Sequence, residues 1–319
     1  MSRIDVHSHY LPEAYRAAAT LAGHAQPDGM PALPAWSVES ALQLMDQNDI
    51  EASILSVSSP GVFFGDVAGA QSLARAVNEA GAEAVATHPS RFGLFASLPL
   101  PDVDAALTEI AYVFDTLHAD GVVLMSNYGG VRLGDAAFDR VFDELNRREA
   151  VIFMHPTSPV CISCGERGML GFPGPMLEFM FESTRAVTNL AYSGTFTRCP
   201  DIRFIMPHAG AALPLLSDRV ARFVPIIGGP GLRAPDEFGA ILGRLYYDLA
   251  GYPVPKMLAP LLSVAAPDRI LYGSDWPFTP SANVNALTTR LDNSGELQAI
   301  GLEQVMQGNA RPLFPRLAV

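Results

Sequence analysis

Short apolar runs alternate with longer amphipathic stretches from one end of the chain to the other, and this alternation restricts the fold more than any other feature. Period-two or continuously apolar segments predict strands at RIDVHSH, ASILSV, RFGLFASL, GVVLMS, AVIFMH, DIRFIMPH, RLYYDLAG and RILYGSD. Helical periodicity falls between them. It covers SVESALQLMDQNDI, where Ser37 or Ser40 can cap, and then DVAGAQSLARAVNEAGAEAVATH, PDVDAALTEIAYVFDTLHA and DAAFDRVFDELNRRE. A further helix runs from about Met176 to Phe196, and VPKMLAPLLSVA follows near the end. A long loop bearing proline and glycine is expected between the first strand and the first of these helices. Eight strand–helix units without a compositional break over residues 1–319 predict one (β/α)8 TIM-barrel domain with loop insertions, rather than an open doubly wound sheet. No GxGxxG or GxxxxGK[ST] pattern follows the first strand, which removes the main support for a nucleotide fold.

In such a barrel, reactive groups sit at the C-terminal ends of strands. Polar residues recur there. His7 and His9 end the first predicted strand, His155 the fifth, His208 the sixth and Asp275 the eighth. Strand alternation puts His7 and His9 on one side, so both aim into the barrel mouth. A lone His-x-His would suit a hydrogen-bonded core, but His155 and Asp275 complete an N/O donor set suited to Zn²⁺ or Mn²⁺. Asp5 shares the parity of His7 and sits deeper, where it would anchor backbone or a ligand histidine. His24, His88 and His118 fall in loops or at helix ends and read as solvated or capping. Lys256 is the one lysine in the chain and lies far from the end of strand four, VVLMSNYGG, so a lysine-bridged pair of ions is excluded and one ion is expected. Cys161 and Cys164 form a CxxC pair with only Cys199 left to join them, too few ligands for a structural zinc. Trp276 and Phe278, beside Asp275, either pack the barrel rim or wall an aromatic substrate, and Phe63 and Phe64 are further wall candidates.

The balance of 33 acidic against 21 basic residues, net −12, argues against nucleic acid or an anionic membrane as partner, and a small molecule is expected. The MSRIDVHSHY start lacks the layout of a signal peptide, no apolar run has the length of a membrane span, and three cysteines make no paired framework, so a cytoplasmic location is expected.

The ordered motifs DVHSH, FMHPT, IMPHAGAALP and LYGSDWPF resemble the amidohydrolase superfamily. Within it the chain is similar to the branch of aminocarboxymuconate-semialdehyde decarboxylase and the non-oxidative benzoate decarboxylases, with the overall look of 6-methylsalicylate decarboxylases. HPSRFGLFASLPLPD and FESTRAVTNL extend the likeness over nearly the whole chain. The resemblance implies that His7, His9, His155 and Asp275 bind one divalent ion, Zn²⁺ or Mn²⁺, and that His208 faces the substrate. It also implies that Arg219, eleven residues after His208, binds the substrate carboxylate, often from the neighbouring subunit of a homodimer or dimer-based oligomer. Some members have Glu in place of the first histidine. This chain keeps both, which leaves the metal open. A second arginine used by some members after strand two is absent from SVSSPGVFFGD, which favours an aromatic monoacid over a dicarboxylate.

The expected reaction is decarboxylation of an ortho-hydroxybenzoate-like acid, with a proton delivered to the ring carbon by Asp275 or through His208. The rival is hydrolysis of a lactone, ester or amide by metal-activated water on the same residues. A metal-stabilised binding protein without turnover is the third reading, weakened by His208, for which a closed structural site has no use.

Overall fold

A computed structural model describes residues 1–160, 171–228 and 238–317 of the chain. The strands are β1 (Arg3–His9), β2 (Ile50–Ser56), β3 (Phe92–Ser97), β4 (Gly121–Met125), β5 (Val151–His155), β6 (Arg203–Met206), β7 (Tyr246–Asp248) and β8 (Ile270–Leu271). Each pairs in parallel with the next in chain order, as βα repeats require. Closure from β8 to β1 comes from backbone bonds: Val6 N donates to Tyr272 O (3.1 Å), Asp275 N to His7 O (2.8 Å) and His9 N to Trp276 O (2.7 Å). The TIM barrel expected from the alternation is therefore present.

Strands covered on both faces read as unbroken apolar runs, and all seven residues of β1 are buried. Phe95 and Phe153 stack inside the barrel at 5.5 Å, with Phe153 edge-on to His7 at 4.8 Å, so an apolar floor underlies the histidines. The helices start where the capping chemistry predicts. Ser37 and Ser40 form a reciprocal capping box ahead of Val38–Gln47, and Asp66 and Asp102 cap Val67–Thr87 and Val103–Asp115.

Four details differ from the sequence expectations. The long loop after β1 contains a helix, Glu13–Leu21, whose alanine-rich turns favour helix and whose Tyr15 and Ala19 face the core. The helix expected to reach Phe196 is Glu178–Tyr192; the left-handed Gly194 (φ 80°) ends it before a short turn, Thr195–Arg198. VPKMLAPLLSVA yields only Leu258–Leu262. RILYGSD forms a strand only at Ile270–Leu271, beyond which the chain follows β1 to Asp275 by the closing bonds above. The later helix Ser281–Asp292 is tied to β1 by Arg3, whose guanidinium donates to both oxygens of Asp292 (2.6 and 2.7 Å). Among the described residues, no helix is long and apolar enough to cross a membrane.

Candidate metal centre and active site

Four side chains from three parts of the sequence meet at the C-terminal mouth of the barrel. One ligand atom from each of His7, His9, His155 and Asp275 lies within 4.8 Å of every other. Strand parity brings His7 and His9 together, with their Nε2 atoms 3.1 Å apart. Asp275 Oδ1 stands 3.5 Å from His7 Nε2 and 3.3 Å from His9 Nε2. Ligands about 2.0–2.2 Å from a tetrahedral ion lie roughly 3.3–3.6 Å from one another, so the spacings among His7, His9 and Asp275 fit one ion.

The outer nitrogens decide which inner ones are free. His7 Nδ1 donates to Asp248 Oδ2 (2.9 Å), His155 Nδ1 to Pro156 O (2.7 Å), and His9 Nδ1 to Ser56 Oγ (3.0 Å) and Ser56 O (3.3 Å). Each bond places a proton on Nδ1, so that in the neutral, ligating form the Nε2 lone pair aims at the common point. Two buried Nε2 atoms this close to each other and to the Asp275 carboxylate make sense around a cation. The donor set thus fits the divalent ion that the sequence motifs imply.

Electrostatics follow from burial. Burial lowers His9, and lowers His155 far below the usual imidazole value, so both favour the neutral ligand form. Burial also opposes charge on His7, but Asp248 and Asp275 override it and hold this residue up at about 10. Burial would raise Asp275; bonds from His208, His7 and His9 instead keep it well below the carboxylate range, and so ionised. Asp275 and His208 adopt left-handed backbone (φ 58° and 55°), a conformation uncommon for residues other than glycine. His208 Nε2 stands 3.8 Å from Asp275 Oδ2, on the cavity side of the cluster. Asp5 does the anchoring expected of it: Oδ1 accepts from His7 N and Ser274 N, both at 3.0 Å, and burial pushes its carboxyl up to about 7.

A cavity of about 450 Å³ opens over the cluster, lined by His155, His208, Asp275, Phe278 and a methionine-rich wall. No arginine or lysine among the described residues lines it. Phe278 walls this cavity and packs edge-on to His9 (5.6 Å). Trp276 does not: it is buried, its indole N–H donates to Ser281 Oγ (3.2 Å), and it packs the rim, which corrects the substrate-wall reading. Phe63 and Phe64 line a separate cavity of about 230 Å³. Arg219 lies on the exposed side of the helix Leu213–Ile227, its guanidinium 4.0 Å over the Phe223 ring, and does not line the cavity of its own chain. His88 caps the helix Val67–Thr87, and His118 sits in a left-handed turn before β4. Cys199 is a buried free thiol, while Cys161 and Cys164 lie outside the described residues.

The functional residue that the sequence reading missed is Asp248. It is fully buried at the end of β7, orients His7, and accepts from His208 N and Ala250 N (both 3.0 Å). Its signal was present, since RLYYDLAG puts an aspartate at a strand's C-terminal end just as LYGSD does.

The profile of the Amidohydrolase family matches residues 4–316, and the chain belongs to that family, within its aminocarboxymuconate-semialdehyde decarboxylase-like branch. It is 37% identical over 321 residues to the 6-methylsalicylic acid decarboxylase of Penicillium expansum, covering 99% of this chain and 97% of the relative. It is 36% identical over 333 residues to decarboxylase macB of Penicillium terrestre, covering 100% and 96%. Among solved structures, it resembles a dihydroxybenzoic acid decarboxylase from Polaromonas sp. JS666, which holds manganese and the inhibitor 2-nitroresorcinol. That likeness has a TM-score of 0.83 at 25% identity over 98% of this chain and 97% of the other.

Proposed function

We propose that this chain is a metal-dependent, non-oxidative decarboxylase, a carbon–carbon lyase, acting on an ortho-hydroxybenzoate-type acid such as 6-methylsalicylate. The carrying observation is the His7, His9, His155 and Asp275 cluster beneath an apolar cavity with His208 at its edge. Full-length similarity to 6-methylsalicylic acid decarboxylases supports the same conclusion. A bound Zn²⁺ or Mn²⁺ would supply Lewis acidity toward the substrate's carboxylate and neighbouring phenolate oxygens.

The chain's own residues do the rest. Phe278 and the methionine wall pack the ring and exclude water, which favours loss of the carboxylate charge. Asp275 is held as a carboxylate, so His208 beside it is the better-placed proton carrier. A proton passes from His208 to the ring carbon that bears the carboxylate. The bond from that carbon to the carboxyl group then breaks, its electron pair restores the aromatic ring, and CO₂ leaves. Solvent returns the proton to His208.

Arg219 would bind the substrate carboxylate from a second copy of the chain. Leu215, Arg219, Arg222 and Ile226 follow helical spacing on one exposed face, and Leu215 and Ile226 are 72% and 71% exposed, an unusual display for a monomer. Metal-reconstituted protein incubated with salicylate-type acids, aryl lactones and amides, with products identified by mass, tests the reaction. Loss of CO₂ is expected, and gain of water from the lactones or amides would establish hydrolysis instead. Arg219→Ala should keep its metal and raise KM for the acid. Mixing it with inactive His9→Ala should restore activity, because a mixed dimer has one site with both an intact cluster and the partner's arginine. No restoration would place Arg219 outside the site.

A further inference from the structure

Asp28 carries a carboxylate that neither the metal cluster nor the proposed proton path uses. It lies in the turn Pro27–Gly29, buried, and its backbone is left-handed (φ 53°). Such a conformation in a residue other than glycine persists only where the surroundings hold it. The Ser158 hydroxyl donates to its Oδ1, which fixes the carboxylate. Asp28 is also the one described residue that lines both the 450 Å³ active-site cavity and the adjoining 230 Å³ cavity. It therefore forms part of the wall between them.

No arginine or lysine among the described residues pairs with Asp28 or lines the active-site cavity. The neighbouring lining is neutral: Ser59 bonds to Thr157, and Met30, Met176, Met180 and Phe179 present apolar surface. A buried carboxylate that no described arginine or lysine pairs disfavours a second carboxylate placed near it, because the low-dielectric surroundings screen their repulsion poorly. The carboxylate also accepts hydrogen bonds, as from Ser158, and so leaves neutral or hydrogen-donating ring substituents unopposed.

We infer that Asp28 is a specificity-determining residue whose buried carboxylate, on the wall of the active-site cavity, admits aromatic acids bearing one negative charge and rejects those bearing a second. This rests on the reading of the cavity as an aromatic-acid site.

The test is calorimetric binding to metal-loaded protein of salicylate, 4-hydroxyisophthalate and 2-hydroxyterephthalate, the last two carrying a second carboxylate at different ring positions. CO₂ release is followed separately. The wild type should bind salicylate at least about tenfold more tightly than either dicarboxylate, and Asp28→Asn should narrow that ratio about fivefold, chiefly by tightening the dicarboxylates, with metal content unchanged. Asn tolerates the left-handed backbone and can still accept from Ser158; Asp28→Gly removes the carboxylate in an equally compatible residue. Equal wild-type binding of mono- and dicarboxylates, or a ratio unmoved in a folded variant, overturns the inference even if CO₂ is released. The expected ratios without CO₂ release from any acid would overturn decarboxylation alone. No binding of any of these acids overturns both.

Discussion

Replacing Asp248 with Asn should weaken metal binding about 10- to 100-fold, or about 1.4–2.7 kcal/mol, although Asp248 does not touch the ion. Asp248 Oδ1 accepts from the N–H groups of His208 and Ala250, and Oδ2 accepts from His7 Nδ1. In the Asn side chain, the amide oxygen must stay on the two backbone donors, since turning it would abandon two hydrogen bonds worth roughly 1 kcal/mol each. The NH₂ group then faces His7 Nδ1. That nitrogen has to accept, and its proton moves to Nε2, the atom that points at His9 and Asp275. A protonated Nε2 cannot ligate, so binding requires either the disfavoured tautomer or a broken buried bond. Chelator competition gives the affinity of Zn²⁺ or Mn²⁺ for both proteins, and ¹⁵N imidazole shifts report the tautomer of His7. Affinity within about twofold of wild type, in a variant with an unchanged circular dichroism spectrum, would refute the claim that Asp248 sets the ligand form of His7.

Three further outcomes rest on the same geometry. His9→Ala should lose bound metal and activity together while staying folded; an active, metal-free variant would sink the ligand assignment. His7, held up at about 10 by Asp248 and Asp275 against its burial, carries the one proton that metal must displace, since burial lowers His9 and His155 and Asp275 is already ionised. Metal binding should therefore release about one proton, with affinity rising about tenfold per pH unit from neutrality to about pH 9. Calorimetry in buffers of different ionisation enthalpy counts that proton, and release of none or of three contradicts the assignment. Gly273→Ala would put a Cβ 2.8 Å from His7 Cβ and 3.2 Å from Asp248 Cβ, so both must shift. It should destabilise the fold by about 1–3 kcal/mol and lower metal content; an unchanged melting temperature with full metal would show that the pair can move freely.

The barrel and the four members of its candidate metal cluster were legible because their signals are local. Strand parity needs only the residues 7 and 9 to share a face, and alternation of apolar runs needs only neighbours in sequence. The short last strand and the helix Glu13–Leu21 were harder to see, since prolines and a loop-like stretch of alanines acquire their structure from what packs against them. Trp276 illustrates the limit: adjacent to Asp275 in sequence, it turns into the rim while Phe278, two residues on, faces the cavity.

The amino-acid sequence by itself determined the number and order of strand–helix units, the face shared by His7 and His9, and the exclusion of a lysine-bridged pair of ions. Tertiary structure alone decided which donors each carboxylate meets. Asp275 Oδ1 stands 3.5 and 3.3 Å from the Nε2 atoms of His7 and His9, Asp248 orients His7 from 241 residues away, Asp5 anchors the backbone, and Asp28 accepts from Ser158 on the cavity wall. In sequence all four are aspartates within or after an apolar run, or in a turn. Their roles differ because a carboxylate takes its charge state and its work from the donors within about 3 Å, and those donors are set by barrel closure rather than by chain neighbours.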